Sequence, residues 1–397
     1  MTLTPYVKFY DLSRMQIGWN TSQLELREEC AEFGRRQVAA EVRTNAAVGQ
    51  FDEAAWQELC STNFWKWALP EAYGGQGRSW WDFAAGLEGL ASTAADGGFV
   101  MSVIGQAWTY YALLKFGTEA QKHRYIPRLL AGEVAATAIA EPHSGTDVPN
   151  LRTQAVKDGD GYRLHGDKQN ISHAAGKGFS IVVGRIPALG DRDITLFLCE
   201  QGAPGYHAHP LPVKTGLNTL PTYNLRFRDL QVHENQILGE KGRGLRCLGS
   251  FMMFGRALIG IAGAALLEPV LDQALTYIRD RQSGGKPLRE HQYVQRRIAD
   301  LQILASQAQY TSYGALSRVL SADPEAPMLA SIAKIAATQT LLDGSRELLA
   351  LLGSRGFLEG PAGHLAKDAL GFIAVGGTEE LHRKLIFRSL MQRKKRW

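Results

Sequence analysis

Residues 137–147 read TAIAEPHSGTD, and their types and order could build a ligand site. The first residues are apolar, the chain turns at Glu141-Pro142, and Ser144, Gly145 and Thr146 follow. A buried strand that stops at a proline turn leaves small residues and backbone N–H groups at its end. That suits a flat ligand with polar edges. An ordinary strand-to-loop turn has the same composition, so this stretch alone leaves both readings open. Other chemistries find less support. Cys30, Cys60, Cys199 and Cys247 show no CxxC spacing, and the ten histidines form no HExxH-type pair. Buried thiols and no metal site are expected. The net charge of +5 is modest, and no basic stripe is interleaved with aromatic residues, so nucleic-acid binding is not expected. The densest basic run, Arg393, Lys394, Lys395 and Arg396, reads as a solvated terminus or as a contact for an acidic partner or a phosphate.

The elements that must position such a site fall into three blocks. Residues 1–130 read as helices. Leu26, Cys30 and Phe33 share one helical face, and Asp52 is placed to cap the helix carrying Trp56 and Leu59. Pro70 and Gly74-Gly75 break the pattern, and helices follow over Phe83–Ala95, Val103–Phe116 and Glu119–Leu130. Trp80, Trp81 and Trp108 read as packing residues. Residues 131–238 are β-branched with Gly/Asp turns. Arg152–Lys157 and Tyr162–His165 form a hairpin around Asp158-Gly159-Asp160-Gly161; Phe179–Ile186, Ile194–Glu200 and Tyr223–Val232 are further strands. Residues 239–397 are helical again. A long helix over Arg256–Gln282 is kinked at Pro269, and Val294, Ile298, Leu301, Ala305 and Ala308 stripe the next. After a break at Asp323-Pro324 come Met328–Leu352, a connection over Gly353–Gly377, and a last helix over Thr378–Leu390. Such helices with short links make an antiparallel bundle. The expected class is mainly α with a central β domain. No apolar run approaches the ~20 residues of a membrane span. The N-terminal MTLTPYVKFYDLSR lacks the pattern of a secretion signal, so a cytoplasmic location is expected.

Several stretches, in this order, resemble the acyl-CoA dehydrogenase family over nearly the whole chain. AIAEPHSGTD is similar to its flavin loop, Thr-Glu-Pro-x-x-Gly-Ser-Asp. GYRLHGDKQNIS is similar to Gly-x-Lys-x-Trp-Ile-Thr, and YIRDRQSGGKPLREHQ to Arg-x-x-Phe-Gly-x-x-Leu-x-x-x-Gln. LALLGSRGF and GGTEELHRKLI resemble its two C-terminal motifs, with WALPEAYGG and FGTEAQKHRYIPRLLAGE as N-terminal support. The resemblance implies an N-terminal helical domain, a β-barrel-like middle domain and a C-terminal four-helix bundle. It also implies bound FAD. Ile139 and Ala140 would lie along the flavin ring, Thr146 beside the pyrophosphate, and Ile171 and Ser172 at the ring edge. Arg281 and Ser283 would reach the flavin of a neighbouring subunit, with Gly353, Gly377 and Thr378 on the same cofactor-binding surface. A homodimer or homotetramer follows. The chain departs from the pattern at Ala140 for Thr, Asn170 for Trp, Gly284 for Phe and Ala350 for Gln.

The family's reaction removes a proton beside a thioester carbonyl and passes a hydride to flavin. It uses a carboxylate base, usually a Glu directly before Gly-Thr near the C-terminus, or directly before the Arg that opens the bundle. Those positions are Gly376 and Gly255, the latter preceding Arg256. Gly376 still offers a backbone N–H to a thioester oxygen, and Arg256 and Gly376 are the expected substrate-side residues. No catalytic residue is assigned. Three explanations stay open: a base from elsewhere, with His173 a candidate by its place after Ser172; a substrate with an acidic proton, or an alcohol; or oxygen chemistry. The resemblance therefore implies a dehydrogenase of an acyl thioester on CoA or an acyl carrier protein. The Gly before Arg256 and the RxxxGxPLxxHQ continuation look like the carrier-protein dehydrogenases of polyketide pathways. The alternatives are a flavin monooxygenase on the same fold or a non-redox relative.

Overall fold

The computed structural model describes residues 17–38, 49–358 and 360–393; the basic run at 394–396 lies outside them, as does the side chain of Arg393. The N-terminal helices are α1 (Thr21–Phe33), α2 (Glu53–Ser61), α3 (Trp80–Ala94), α4 (Gly97–Phe116) and α5 (Glu119–Leu130). Local chemistry sets their starts. Asn20, Asp52, Ser79, Asp96 and Thr118 each accept a hydrogen bond from a backbone N–H of the first turn. Leu26, Cys30 and Phe33 are all buried, as their spacing predicts. α4 is buried over almost its whole surface, so the α3–α4 layer forms the middle of a large core shared with the C-terminal helices.

The middle region is one eight-stranded sheet. Its strands are β1 (Ala136–Ala138), β2 (Gln154–Asp158), β3 (Gly161–Ser172), β4 (Phe179–Arg185), β5 (Ile194–Glu200), β6 (Tyr206–Pro210), β7 (Thr222–His233) and β8 (Ile237–Leu238). The spatial order is β6-β7-β3-β2-β4-β5-β8, with β1 parallel to β4. Among the described residues the outer strands β6 and β8 are not paired with each other, so the barrel-like middle domain is a sheet that does not close. The β2–β3 hairpin turns at Gly159-Asp160, with Gly159 at φ 55°. β6 is too polar, at YHAHP, to be found by hydrophobic pattern.

The long apolar helix begins earlier than its periodicity suggests, at Gly244. It divides into α6 (Gly244–Ala265) and α7 (Glu268–Asp280), with Pro269 in the first turn of α7, where its missing N–H costs nothing. This stretch, Gly244–Asp280, is long and apolar enough to cross a membrane, but 83% of its most apolar window is buried inside the protein. Glycines let α6 approach its neighbours: a Cβ on Gly260 would stand 2.6 Å from Ser312 Oγ, and one on Gly263 3.3 Å from Ala337 Cβ. A short hairpin, β9 (Gln282–Ser283) and β10 (Lys286–Pro287), links α7 to α8 (Gln292–Leu320), and α9 (Ala326–Leu352) follows. The connection expected over 353–377 is not a plain loop. It holds α10 (Pro361–Ala374), whose glycines at 363 and 371 hid the helical period; Gly371 sits against Leu217. The last helix is α11 (Glu379–Arg393).

Candidate active site

The loop after β1 is built around a buried ion pair. Lys168, on the inward face of β3, places Nζ 2.8 Å from Glu141 Oε1 and 3.0 Å from the Ile139 carbonyl. Neither side chain meets solvent, and Glu141 also accepts the N–H groups of Arg152 and Thr153. Burial lowers the Lys168 ammonium to about 8 against the pull of Glu141. Burial pushes the Glu141 carboxyl up, but Lys168 and the two N–H groups outweigh it and hold it below its usual range. The Ala140 carbonyl is taken by Gln169 N–H at 2.9 Å. In a trans peptide the N–H points opposite to the carbonyl of the same plane. Holding the Ile139 and Ala140 carbonyls inward therefore turns the N–H groups of Ala140 and Glu141 the other way. The sequence reading passed over Lys168; its signal was a lysine at an inward position of β3, in step with Tyr162 and Leu164.

The other sequence-predicted residues of this group differ in what they present. Thr146 is exposed at the end of the turn. A β-bulge between Lys168 and Ile171 carries Asn170 at φ 57°, a conformation Asn tolerates far better than Trp. Ile171 is buried in the sheet's core, which leaves its backbone to offer, and Ser172 is half-buried. His173 is not a free base. Its Nε2 lies 2.7 Å from Ser102 Oγ, its ring packs edge-on against Phe51, and burial, with Lys214, lowers it to about 3.

A second group forms at the turn before α11. Gly376 and Gly377 have φ of 74° and 113°, so the turn needs glycine. Arg256 Nε donates to the Gly376 carbonyl at 3.0 Å, and Lys334 Nζ to the Gly377 carbonyl at 3.0 Å. Burial lowers Arg256 to about 10 and Lys334 to about 8. His382 lies fully buried below the turn, and among the described residues neither ring nitrogen has a well-aligned hydrogen-bond partner; burial and the two cations lower it to about 3 against the opposing pull of the Gly376 and Gly377 backbone. It is a neutral imidazole and a poor proton acceptor. Lys334 and His382 were also missed by the sequence reading. Thr378 directly precedes α11 and accepts, at its carbonyl, the His382 N–H.

No buried carboxylate among the described residues is free to act as base. Asp82, Glu88, Asp96, Glu141 and Asp368 each accept hydrogen bonds from fixed donors. At position 255 a side chain is excluded as well, since a Cβ there would come 2.5 Å from Trp108 Cε3.

A third group lies on the bundle. Arg281 caps the C-terminus of α7, and Ser283 sits on the β9–β10 hairpin, turned by Gly284 and Gly285 at φ 59° and 78°. A cavity of about 790 Å³ brings Arg281 and Gln282 together with Leu352 and Arg355 at the end of α9, beside Asp272 and Asp280. Gly353, at φ 59°, ends that helix, and the Arg355 guanidinium lies 5.8 Å from the Tyr277 ring centre. Among the described residues, no hydrogen bond or ion pair joins Arg281 or Ser283 to the loop at 139–146.

This fold and these groups define a flavoenzyme scaffold, and comparison with known proteins agrees. The acyl-CoA dehydrogenase N-terminal, middle and C-terminal domains match residues 20–133, 136–230 and 242–391. The chain belongs to the acyl-CoA dehydrogenase family. It is 27% identical over 388 residues to the mitochondrial isovaleryl-CoA dehydrogenase of Oryza sativa subsp. japonica, covering 96% of this chain and 94% of that protein. The butyryl-CoA dehydrogenase of Megasphaera elsdenii superposes with a TM-score of 0.89 at 26% identity, over 95% of this chain and 100% of that one. The prolyl acyl carrier protein oxidase AnaB gives 0.89 at 27% identity, over 94% and 100%. Enzymes of this family are oxidoreductases that bind FAD. The residues present suit that group: outward peptide N–H groups at 140 and 141 for a ring edge, and two guanidiniums in one cavity for a diphosphate.

Proposed function

We propose that the protein is an FAD-dependent dehydrogenase of an acyl thioester, on CoA or an acyl carrier protein, that works without the carboxylate base of its relatives. The Gly376–Gly377 turn carries this reading. Its two carbonyls are held by Arg256 and Lys334, so its peptide planes are fixed, and no carboxylate reaches it from position 255 or 376. The flavin, when bound, accepts the hydride that leaves the substrate. The chain's own part is to hold and polarise. In this reading the Gly376 N–H donates to the thioester oxygen. Arg256 and Lys334 hold the carbonyls of the turn that presents this donor. A positioned base is worth about 10²–10⁴ in rate. Its absence favours a substrate whose proton is already acidic, or an alcohol.

The same reading assigns the Arg281–Arg355 cavity to the flavin of a second subunit, and so requires a homodimer or homotetramer. A cytoplasmic location is part of the proposal and is compatible with four buried cysteines that are free thiols. A biosynthetic role on carrier-bound intermediates, as in polyketide pathways, is supported by the likeness to AnaB and compatible with the chain's net charge of +5. The test is the visible spectrum of the purified protein, followed by anaerobic mixing with acyl-CoA and acyl-carrier thioesters. The expected result is a yellow protein bleached by an α-acidic or hydroxylated carrier thioester and not by simple saturated acyl-CoA. Protein that stays colourless after incubation with FAD and dialysis overturns it. The missing base also suits a flavin monooxygenase, which would consume oxygen only when an external two-electron donor reduces the flavin, and would yield a hydroxylated product and water.

A further inference from the structure

We propose that Trp108 forms the inner wall of the acyl site and restricts it to a short, compact acyl group; this rests on the acyl-thioester reading above. The indole is fixed from three sides. Its N–H donates to Thr137 Oγ1 on β1 at 3.0 Å. Its six-membered ring lies on Gly255 of α6, where a Cβ would meet Cε3 at 2.5 Å. On its own helix, one turn earlier, Gly105 borders the same ring, with Cζ2 at the ordinary contact distance of 3.8 Å from where a Cβ would stand. Gly255 thus makes the room that the flat ring occupies, and a half-buried N–H that would lose its partner opposes swinging out.

These contacts place the ring at the reacting centre. Thr137 lies two residues before Ile139 in the loop held by Lys168. Gly255 immediately precedes Arg256, which holds the Gly376 carbonyl. A group seated between that loop and that turn therefore meets the indole. Along the same two helices the space is filled: Tyr111, one turn after Trp108, stacks on Phe254, next to Gly255, with ring centres 4.3 Å apart, and Trp80 packs edge-on against Phe254 at 4.8 Å. A long chain has no continuation in this direction. Thr137 already takes the indole N–H, so the wall offered to the ligand is apolar. The same contact accounts for Gly255, because any side chain there would collide with the ring.

The experiment uses the FAD-loaded protein and inert thioether analogues of acyl-phosphopantetheine bearing butyl, hexyl and octyl groups. Binding is read from the perturbed flavin absorption, so turnover is not needed. Wild type should show affinity that is flat or falling from butyl to octyl. Trp108→Ala should show affinity rising by about fourfold per added methylene until the opened space is filled. If that variant does not fold, Trp108→Leu is read in the same way. Wild-type affinity that already climbs with chain length, or a variant with the wild-type profile, overturns the proposal. If no analogue perturbs the flavin in either protein, the acyl-thioester reading itself falls, and this one with it.

Discussion

Lys168 shows what a single residue does here. Its ammonium holds one peptide plane of the loop proposed to face the flavin and pairs with a carboxylate whose other partners are two backbone N–H groups. Removing one partner of such a pair costs about 3–5 kcal/mol, because the other charge remains buried. Lys168→Met should therefore lower the denaturation midpoint and release FAD, both measurable on purified protein; unchanged flavin retention would separate the pair from the cofactor loop. Gly376 sets the opposite constraint. A side chain at φ 74° costs roughly 1–2 kcal/mol, and its Cβ would stand 2.7 Å from Ile259 Cδ1. Gly376→Glu should then destabilise the protein and leave its activity toward the native substrate unimproved, since the strained turn is the one proposed to present the N–H. A rise in native turnover, measured by anaerobic flavin reduction, would contradict this account.

At the scale of elements, the junction of α4, α10 and the loop at 214–220 is tied by two buried carboxylates. Asp368 on α10 accepts the N–H of Gly97 at 2.9 Å and that of Leu217 at 2.6 Å. Asp96, the N-cap of α4, accepts the N–H of Phe99 and the Thr219 hydroxyl. Burial raises Asp368 from 3.8 to about 7, with Asp96 adding to the shift and the facing Lys214 opposing it; burial also raises Asp96. A carboxyl raised in the folded state binds its proton more tightly there than in the unfolded chain. Its contribution is fully present below pH 3.8 and is lost as pH rises to about 7. The slope can reach about 1.4 kcal/mol per pH unit for one group. Urea midpoints measured across this window should fall with pH in wild type and change less in Asp368→Asn. Parallel curves would mean that Asp368 does not titrate there. The junction was not legible in the sequence, because Asp96 and Asp368 lie 272 residues apart in the numbering and each resembles a surface aspartate.

For the whole molecule, the proposed flavin contacts fall into separate groups on one chain, which is the reason for an oligomer. Apolar side chains left exposed on α8 and α11, among them Tyr293, Ile303, Tyr310, Phe387 and Met391, offer surface for such contacts. Sedimentation of the FAD-bound protein should give at least twice the chain mass of 43.6 kDa. Arg281→Ala should lose FAD far more readily than Arg289→Ala. A stable FAD-bound monomer, or equal retention in the two variants, would remove Arg281 from a neighbour's site.

The amino-acid sequence by itself determined what depends on local pattern. Helix starts at Asp52 and Thr118, the α5 and β5 boundaries, the β2–β3 turn and the break at Pro269 all follow from caps, periodicity and turn residues a few positions apart. The motif order also carried the family. Tertiary structure alone decided what depends on burial and on partners distant in the chain. It put Lys168 against Glu141, tied His173 to Ser102, left His382 neutral beneath the Gly376 turn, and laid Trp108 on Gly255. Each of these turns on desolvation or close contact between segments that the fold brings together, and neither is encoded in the spacing of neighbouring residues.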